Sequence, residues 1–272
     1  MEMDSAGKSF ISLLGIMSRL RSPEGCPWDA QQTPESLKPY LLEEAYELLE
    51  AIDDGNSDAV REELGDLLLQ IVFQARIYEE RGEFDIRNVV EGIAEKLVRR
   101  HPHVFSDARC RTPEEVTVQW ENIKAQEKSS ASSAGKSVLG QVPQALPALM
   151  RASKLTARAS RAGFDWPKVD GVFAKVHEEI AEFEAALQSG DQQSMENELG
   201  DMLFAIANLG RFLNIDPEGA LRKTIDRFIF RFSHIEKTLG ETGRHFQDTS
   251  LEEMSELWQS AKKLEDEKQT RD

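Results

Sequence analysis

The chain has 272 residues, 40% of them hydrophobic and 30% charged, a balance typical of a folded globular protein rather than a membrane-spanning or disordered one. Acidic residues outnumber basic ones by 49 to 33, so the formal net charge is −16. That charge disfavours nonspecific binding to a nucleic-acid polymer, because neutralising a phosphate backbone requires clustered Lys and Arg. No segment approaches the roughly 20 apolar residues of a membrane span.

The cysteine content favours a reducing environment. Cys26 and Cys110 are the two cysteines, and neither has a neighbouring cysteine at CxxC spacing. A disulfide scaffold and a structural zinc site are therefore unsupported. Residues 1–15 have mixed charge and no long apolar run, unlike a secretory signal. We expect a cytoplasmic protein that does not associate with membranes.

An internal repeat runs through most of the chain. Its first copy contains the segments GCPWD at 25–29, LEEAYE at 42–47 and ELGDLL at 63–68, and its second contains GFDWP at 163–167, HEEIAE at 177–182 and ELGDML at 198–203. The distance from Glu44 to Glu63 is 19 positions, as is that from Glu179 to Glu198. The pattern indicates a tandem duplication.

A segment of small polar residues separates the two copies. Residues 128–136 read KSSASSAGK, a composition typical of a flexible linker. We therefore predict an N-terminal domain at 1–127, a linker at 128–140 and a C-terminal domain at 141–272.

The apolar residues of both copies recur at helical spacing. Leu64, Leu67, Leu68 and Ile71 form one apolar stripe in the first copy, and the second copy repeats it. No alternating pattern typical of β-strands is evident. The predicted fold is all-α, with two tandem helical-bundle repeats.

Acidic residues in each copy form two pairs on successive helices. Glu44 and Glu47 are three positions apart, so they share a helix face, and Glu63 and Asp66 repeat this spacing on the next helix. A short turn makes the two helices antiparallel neighbours, so that four carboxylates converge. The equivalent acids of the second copy are Glu179, Glu182, Glu198 and Asp201.

Converging carboxylates predict a metal site. Like charges at close range repel one another unless a cation lies between them. A ligand set of oxygen atoms alone favours Mg²⁺, with Mn²⁺ as a substitute, over zinc. A di-iron bundle is disfavoured, because it requires Glu-x-x-His pairs that neither copy contains. A solvated acidic face is the simpler interpretation of one such pair, but the same four acids at the same spacing in both copies argue against it.

These motifs together resemble the MazG family of nucleoside triphosphate pyrophosphohydrolases. The resemblance also includes RRHPHVF at 99–105 and LPALMRA at 146–152, and it covers nearly the whole chain. It implies an all-α fold and a homodimer with intertwined bundles. It also implies Mg²⁺-dependent hydrolysis of NTPs or dNTPs at the α–β bond to a monophosphate and pyrophosphate, consistent with house-cleaning of the nucleotide pool.

The resemblance also implies roles for individual residues. In the family, the positions of Glu179, Glu182, Glu198 and Asp201 bind Mg²⁺, and the first-copy equivalents are Glu44, Glu47, Glu63 and Asp66. Lys223, Arg227 and Lys262 match phosphate-contacting positions, and Trp258 matches a position that packs on the nucleotide.

Two residues beside the acids are catalytic candidates. Glu178 adjoins the predicted metal ligands, where it can position or deprotonate the attacking water. Lys175 lies one turn before Glu179, on the same helical face, and can contact a phosphate. Tyr40 replaces that lysine in the first copy. We therefore expect the second copy to be the main catalyst, and the first to bind metal and be weaker, narrower or regulatory.

Two alternatives remain open at this point. One is a pyrophosphatase with narrow specificity for dUTP or modified nucleotides. The other is a non-catalytic nucleotide-sensing scaffold built on the same bundle.

Overall fold

The computed structural model describes residues 3–130, 137–140 and 142–269, which form twelve α-helices, one short 3₁₀ helix and no β-strand. The predicted all-α fold is confirmed. The chain divides into two compact units, Met1–Ser133 and Ala134–Asp272. Part of the predicted linker, 131–136, lies outside the described residues. No helix within the described ranges combines the length and apolar character that crossing a bilayer requires.

The first unit is organised around one antiparallel helix pair. Its helices are α1 Met3–Leu20, α2 Pro27–Gln31, α3 Lys38–Asp53, α4 Ser57–Glu80, α5 Ile86–Arg100, α6 Pro102–Phe105 and α7 Pro113–Ser130. Between α3 and α4, Gly55 adopts a φ of 68°, a conformation that glycine tolerates best. The Asn56 side chain then accepts hydrogen bonds from the backbone N–H groups of Asp58 and Ala59 and caps α4.

The core of the first unit lies between α1 and α4. Met17, Leu37, Val72, Phe73 and Ile77 are almost completely buried there. Partly buried apolar residues of α1 and α4 pack against this cluster, namely Phe10, Leu13, Leu14 and Leu69. The apolar side of α4 therefore anchors the helix, while its acidic side stays available on the α3 face.

The second unit repeats the helix pair. Its elements are α8 Ala148–Arg161, α9 Val169–Ser189, α10 Gln192–Phe212, α11 Pro217–Glu241, a 3₁₀ helix Phe246–Asp248 and α12 Leu251–Gln269. Gly190, with a φ of 70°, ends α9, and the Asp191 side chain caps α10 by accepting from the Gln193 N–H. The α9–α10 pair is thus the structural counterpart of α3–α4.

Each unit also contains an Arg–Glu pair beside a tryptophan. In the first, Arg100 Nη2 lies 2.6 Å from Glu127 Oε2, and its guanidinium lies 5.7 Å from the Trp120 ring. In the second, Arg231 pairs with Glu265 at 2.8 Å and lies 5.5 Å from the Trp258 ring. These contacts join α5 to α7 and α11 to α12.

The Arg100–Glu127 pair makes a pH-dependent contribution to stability. Hydrogen bonds from Arg100 and Arg99 lower the pKa of Glu127 from 4.5 to about 2. Because the pKa is depressed in the folded state, the contribution is complete above pH 4.5 and is lost as the pH falls towards 2. Glu127→Gln should therefore be less stable than the wild type at pH 6, by a margin that shrinks between pH 4.5 and 3.

Urea unfolding midpoints across this pH range measure that margin. Glu50→Gln, which removes the same charge from an exposed position, is the control and should show a smaller loss at pH 6. A Glu127→Gln deficit that stays constant from pH 6 to 3 would contradict the assignment.

Candidate functional site

The second unit brings the predicted acids together between α9 and α10. Carboxylate oxygens of Glu179, Glu182 and Glu198 lie within 4.8 Å of one another. Asp201, one turn beyond Glu198 on α10, lines the same cavity as these three residues. The i,i+3 spacing on two antiparallel helices thus produces the expected convergence of carboxylates.

Lys175 partly neutralises this cluster. Its Nζ lies 2.6 Å from Glu179 Oε1 and 2.9 Å from Glu178 Oε1, and hydrogen bonds to these two acids raise the pKa of Lys175. Glu179 is buried, with 5% of its surface exposed, whereas the Glu178 side chain is 56% exposed. Desolvation and the charges of Glu179 and Glu198 raise the pKa of Glu182. One ammonium therefore leaves the cluster with excess negative charge.

The acids line a cavity of about 950 Å³. This volume lies in the range of small-molecule sites. Apolar and aromatic side chains also line the cavity, namely Val138, Leu139, Leu155, Phe164, Trp166, Val172 and Phe204. The cavity thus suits a ligand with an apolar, planar end and an anionic end that binds through a cation.

An arginine fixes the aromatic segment of this cavity. Arg211 Nη2 and Nη1 lie 2.7 and 3.0 Å from the two carboxylate oxygens of Asp165, and Arg211 Nε donates to Asn208 Oδ1 at 2.8 Å. Burial raises the pKa of Asp165, but the hydrogen bonds from Arg211 and Ser160 outweigh it, so the pKa is lowered. This bidentate contact holds the segment that carries Phe164 and Trp166.

The Trp166 ring packs against the backbone at Gly171, where a side chain would clash with it. A Cβ atom on Gly171 would lie 2.4 Å from Cδ1 of the indole ring, which is far inside van der Waals contact. The repeat identifies the sequence motif at 163–166 but predicts no cavity there, and Arg211 is no part of the predicted site. Their contribution to the cavity, and that of Asn208, becomes evident from contacts between distant parts of the chain.

The first unit brings its equivalent acids together as well. Carboxylate oxygens of Glu44, Glu47 and Glu63 lie within 4.8 Å of one another. Desolvation raises the pKa of both Glu44 and Glu63, and the charges of Asp66 and Glu47 add to the effect. Within the described part of the chain, no Lys or Arg forms an ion pair with the three clustered glutamates.

The remaining predicted site residues lie on α11 and α12. Lys223 and Arg227 are on α11, and Trp258 and Lys262 are on α12. Arg227 Nη2 donates to Thr224 Oγ1 at 2.7 Å, and the Trp258 ring packs 5.3 Å from that of Phe228. Among the described residues, these four do not line the cavity. Their roles in phosphate and nucleotide binding stay predictions.

Comparisons with known proteins agree with the repeat. A family model for the MazG nucleotide pyrophosphohydrolase domain matches residues 32–105 and 169–235, which contain one acidic cluster each. The predicted tandem repeat is thereby confirmed.

Similar proteins match nearly the whole chain. The nucleoside triphosphate pyrophosphohydrolase/pyrophosphatase MazG of Thermotoga maritima is 48% identical over 260 residues, which are 96% of this chain and 98% of that protein. The nucleoside triphosphate pyrophosphohydrolase of Escherichia coli K12 is 46% identical over 256 residues, 93% of this chain and 97% of that protein. The uncharacterized protein YabN of Bacillus subtilis is 47% identical over 94% of this chain but only 52% of its own length.

Proposed function

This chain belongs to the MazG family of nucleotide pyrophosphohydrolases, and we propose that it hydrolyses nucleoside triphosphates between the α- and β-phosphates. The products are a nucleoside monophosphate and pyrophosphate. The observation that carries the proposal is the cavity of the second unit, where four acids adjoin an apolar, aromatic compartment. The Thermotoga maritima and Escherichia coli relatives are named nucleoside triphosphate pyrophosphohydrolases, which supports the same reaction class.

The donor set of the second unit fits Mg²⁺, with Mn²⁺ as a substitute. Its ligand atoms are carboxylate oxygens from Glu179, Glu182, Glu198 and Asp201, the hard ligands that these cations prefer. Buried Glu179 is screened only by Lys175, so the cluster retains charge for a cation to offset. When bound there, Mg²⁺ would neutralise the triphosphate and polarise its α-phosphorus.

Two residues beside these ligands would carry out the remaining chemistry. Glu178, largely exposed, would position a water molecule for attack on the α-phosphorus and accept its proton. The bond between the α-phosphorus and the bridging oxygen would then break, and pyrophosphate would leave with that oxygen. Lys175, whose ammonium contacts Glu178 and Glu179, would donate to a phosphate oxygen when the substrate enters.

The aromatic compartment would hold the nucleoside end. Phe164 and Trp166 offer planar faces on which any base can stack, so they favour a broad range of NTPs and dNTPs over a narrow one. A panel of canonical, deaminated and oxidised NTPs and dNTPs tests this proposal. Turnover of dUTP or modified nucleotides alone would indicate a narrow specificity, and no turnover of any nucleotide would indicate a sensing role. The cytoplasmic location stays a prediction.

Exposed apolar residues support a homodimer with intertwined bundles. On α11, Ile225, Phe228 and Ile229 expose 49%, 56% and 56% of their surfaces, and Leu199 and Leu203 of α10 are also exposed. Monomeric proteins rarely expose contiguous apolar patches of this kind. We propose that a second copy of the chain covers these faces.

Catalysis should depend on the second unit. Glu179→Gln removes a buried ligand and should lower the rate of pyrophosphate release on the order of 100-fold, because even residues that only orient metal ligands contribute 10- to 100-fold. The matched variant Glu44→Gln should retain most of the activity. Pyrophosphate release from NTPs and dNTPs, with circular dichroism as a folding control, measures both. Activity lost in Glu44→Gln and kept in Glu179→Gln would reverse the assignment.

The dimer is tested by mass. Light scattering should give twice the chain mass of 30.7 kDa for the wild type. Ile225→Asp should shift the mass towards the monomer, because it places a charge in the apolar face. Leu251→Asp, at the exposed start of α12, should leave the dimer intact. A wild-type mass of 30.7 kDa at micromolar concentration would exclude the dimer.

A further inference from the structure

A buried amide that lines the cavity of the second unit has a fixed orientation. Asn208 exposes only 5% of its surface, and its Oδ1 accepts a hydrogen bond from Arg211 Nε at 2.8 Å. Asp165 in turn binds Nη1 and Nη2 of this arginine, at 3.0 and 2.7 Å. Because a guanidinium group only donates, the amide oxygen must face Arg211 and the amide nitrogen must point elsewhere.

The nitrogen of this amide remains as a donor for a ligand. Asn208 Nδ2 forms no hydrogen bond within the ranges that the structure describes, and it is not among their fully buried atoms that lack a partner. The cavity is therefore the space into which it can donate. Thr156, a polar residue of the same cavity, differs because its Oγ1 already donates to the backbone carbonyls of Ala152 and Ser153.

The position of Asn208 on α10 fits the base of a nucleotide. Asp201, Ala205 and Asn208 recur at helical spacing and line the cavity. Asn208 is seven positions beyond Asp201, so its backbone lies about 10 Å farther along the helix axis. With the α-phosphate at the acids, the ribose would lie beside Ala205, and the edge of the base opposite the glycosidic bond would reach Asn208.

That edge of a base presents either a keto oxygen or an amino group. Guanine carries O6 and thymine O4, as do hypoxanthine and uracil respectively, whereas adenine carries an N6 amino group and cytosine an N4 amino group. The amide nitrogen of Asn208 donates, so it pairs with the oxygen and opposes the amino group, which also donates. The amide oxygen, which could accept from an amino group, is turned to Arg211.

The first unit has a different residue at this position. The offset of 135 positions that relates the two acidic clusters aligns Phe73 with Asn208. Phe73 is 3% exposed and packs in the core of the first unit with Met17 and Val72. Its ring carries no amide donor, so a base preference based on this amide belongs to the second unit.

We propose that Asn208 determines the base preference of the second unit, because its amide N–H donates to O6 of a purine or O4 of a pyrimidine. Nucleotides with a keto oxygen at that position therefore bind more tightly than those with an amino group. The inference rests on the proposed function in one respect, that a nucleotide occupies the cavity with its phosphates at the acids. Stacking on Phe164 and Trp166 admits any base, and Asn208 sets the preference among them.

Equilibrium binding of non-hydrolysable nucleotides tests the proposal without turnover. The α,β-methylene analogues of inosine triphosphate (ITP) and ATP share their sugar and phosphates and differ in the edge of the purine that carries O6 or N6. Calorimetric titration of the full-length protein with Mg²⁺ should show that the wild type binds the ITP analogue about 10-fold more tightly, the scale of one hydrogen bond gained against two opposed donors. Each ratio compares two ligands on one protein, so a partly unfolded sample does not alter it.

Three variants assign the ratio to the amide. Asn208→Leu removes the donor and should bring the ratio close to one. Asn208→Asp keeps an oxygen for Arg211 and places a second oxygen where the amide nitrogen was, so it should reverse the ratio in favour of the ATP analogue. Thr156→Val changes a cavity residue whose hydroxyl is already bonded, and it should keep the wild-type ratio.

The outcomes separate this proposal from the proposed function. Equal affinities in the wild type, an unchanged ratio in Asn208→Leu, or no binding of either analogue would overturn the base preference. A wild-type preference for the ITP analogue that Asn208→Leu removes, together with no hydrolysis of ITP or ATP, would support the base preference and contradict the proposed function instead.

Discussion

Repulsion among four carboxylates between two antiparallel helices is the constraint on which both units depend. Short turns at 54–56 and 190–191 favour antiparallel packing of the helices they join. The caps Asn56 and Asp191 fix where the second helix of each pair begins, and the apolar stripe of that helix sets which side faces its neighbours. The fold therefore imposes an electrostatic cost that a cation is suited to offset.

The two units meet this constraint with different neighbouring residues. In the second, Lys175 forms an ion pair with Glu179, and both residues line the adjoining cavity. In the first, Tyr40 occupies the position of Lys175, and Gln70 that of Ala205. Phe73 is part of the buried core of the first unit. The repeat thus keeps the acids in both units while the residues around them differ.

Sequence patterns predict the parts of this site that depend on local geometry. Helical periodicity and the 19-residue spacing predict the helix pairs and the facing acids, because i,i+3 residues share a face. The aromatic part of the cavity depends instead on the contact between Arg211 and Asp165. These residues are 46 positions apart, so no local sequence pattern predicts their contact. Family likeness alone predicts phosphate or nucleotide binding by four residues that do not line this cavity among the described residues, namely Lys223, Arg227, Trp258 and Lys262.

The position of the attacked phosphorus tests the central claim most directly. Hydrolysis of ATP by the wild-type protein in ¹⁸O-labelled water with Mg²⁺, followed by mass spectrometry, shows which product receives the solvent oxygen. Attack at the α-phosphorus predicts one ¹⁸O atom in AMP and none in pyrophosphate. Label in pyrophosphate, or release of labelled orthophosphate in place of pyrophosphate, would contradict the account.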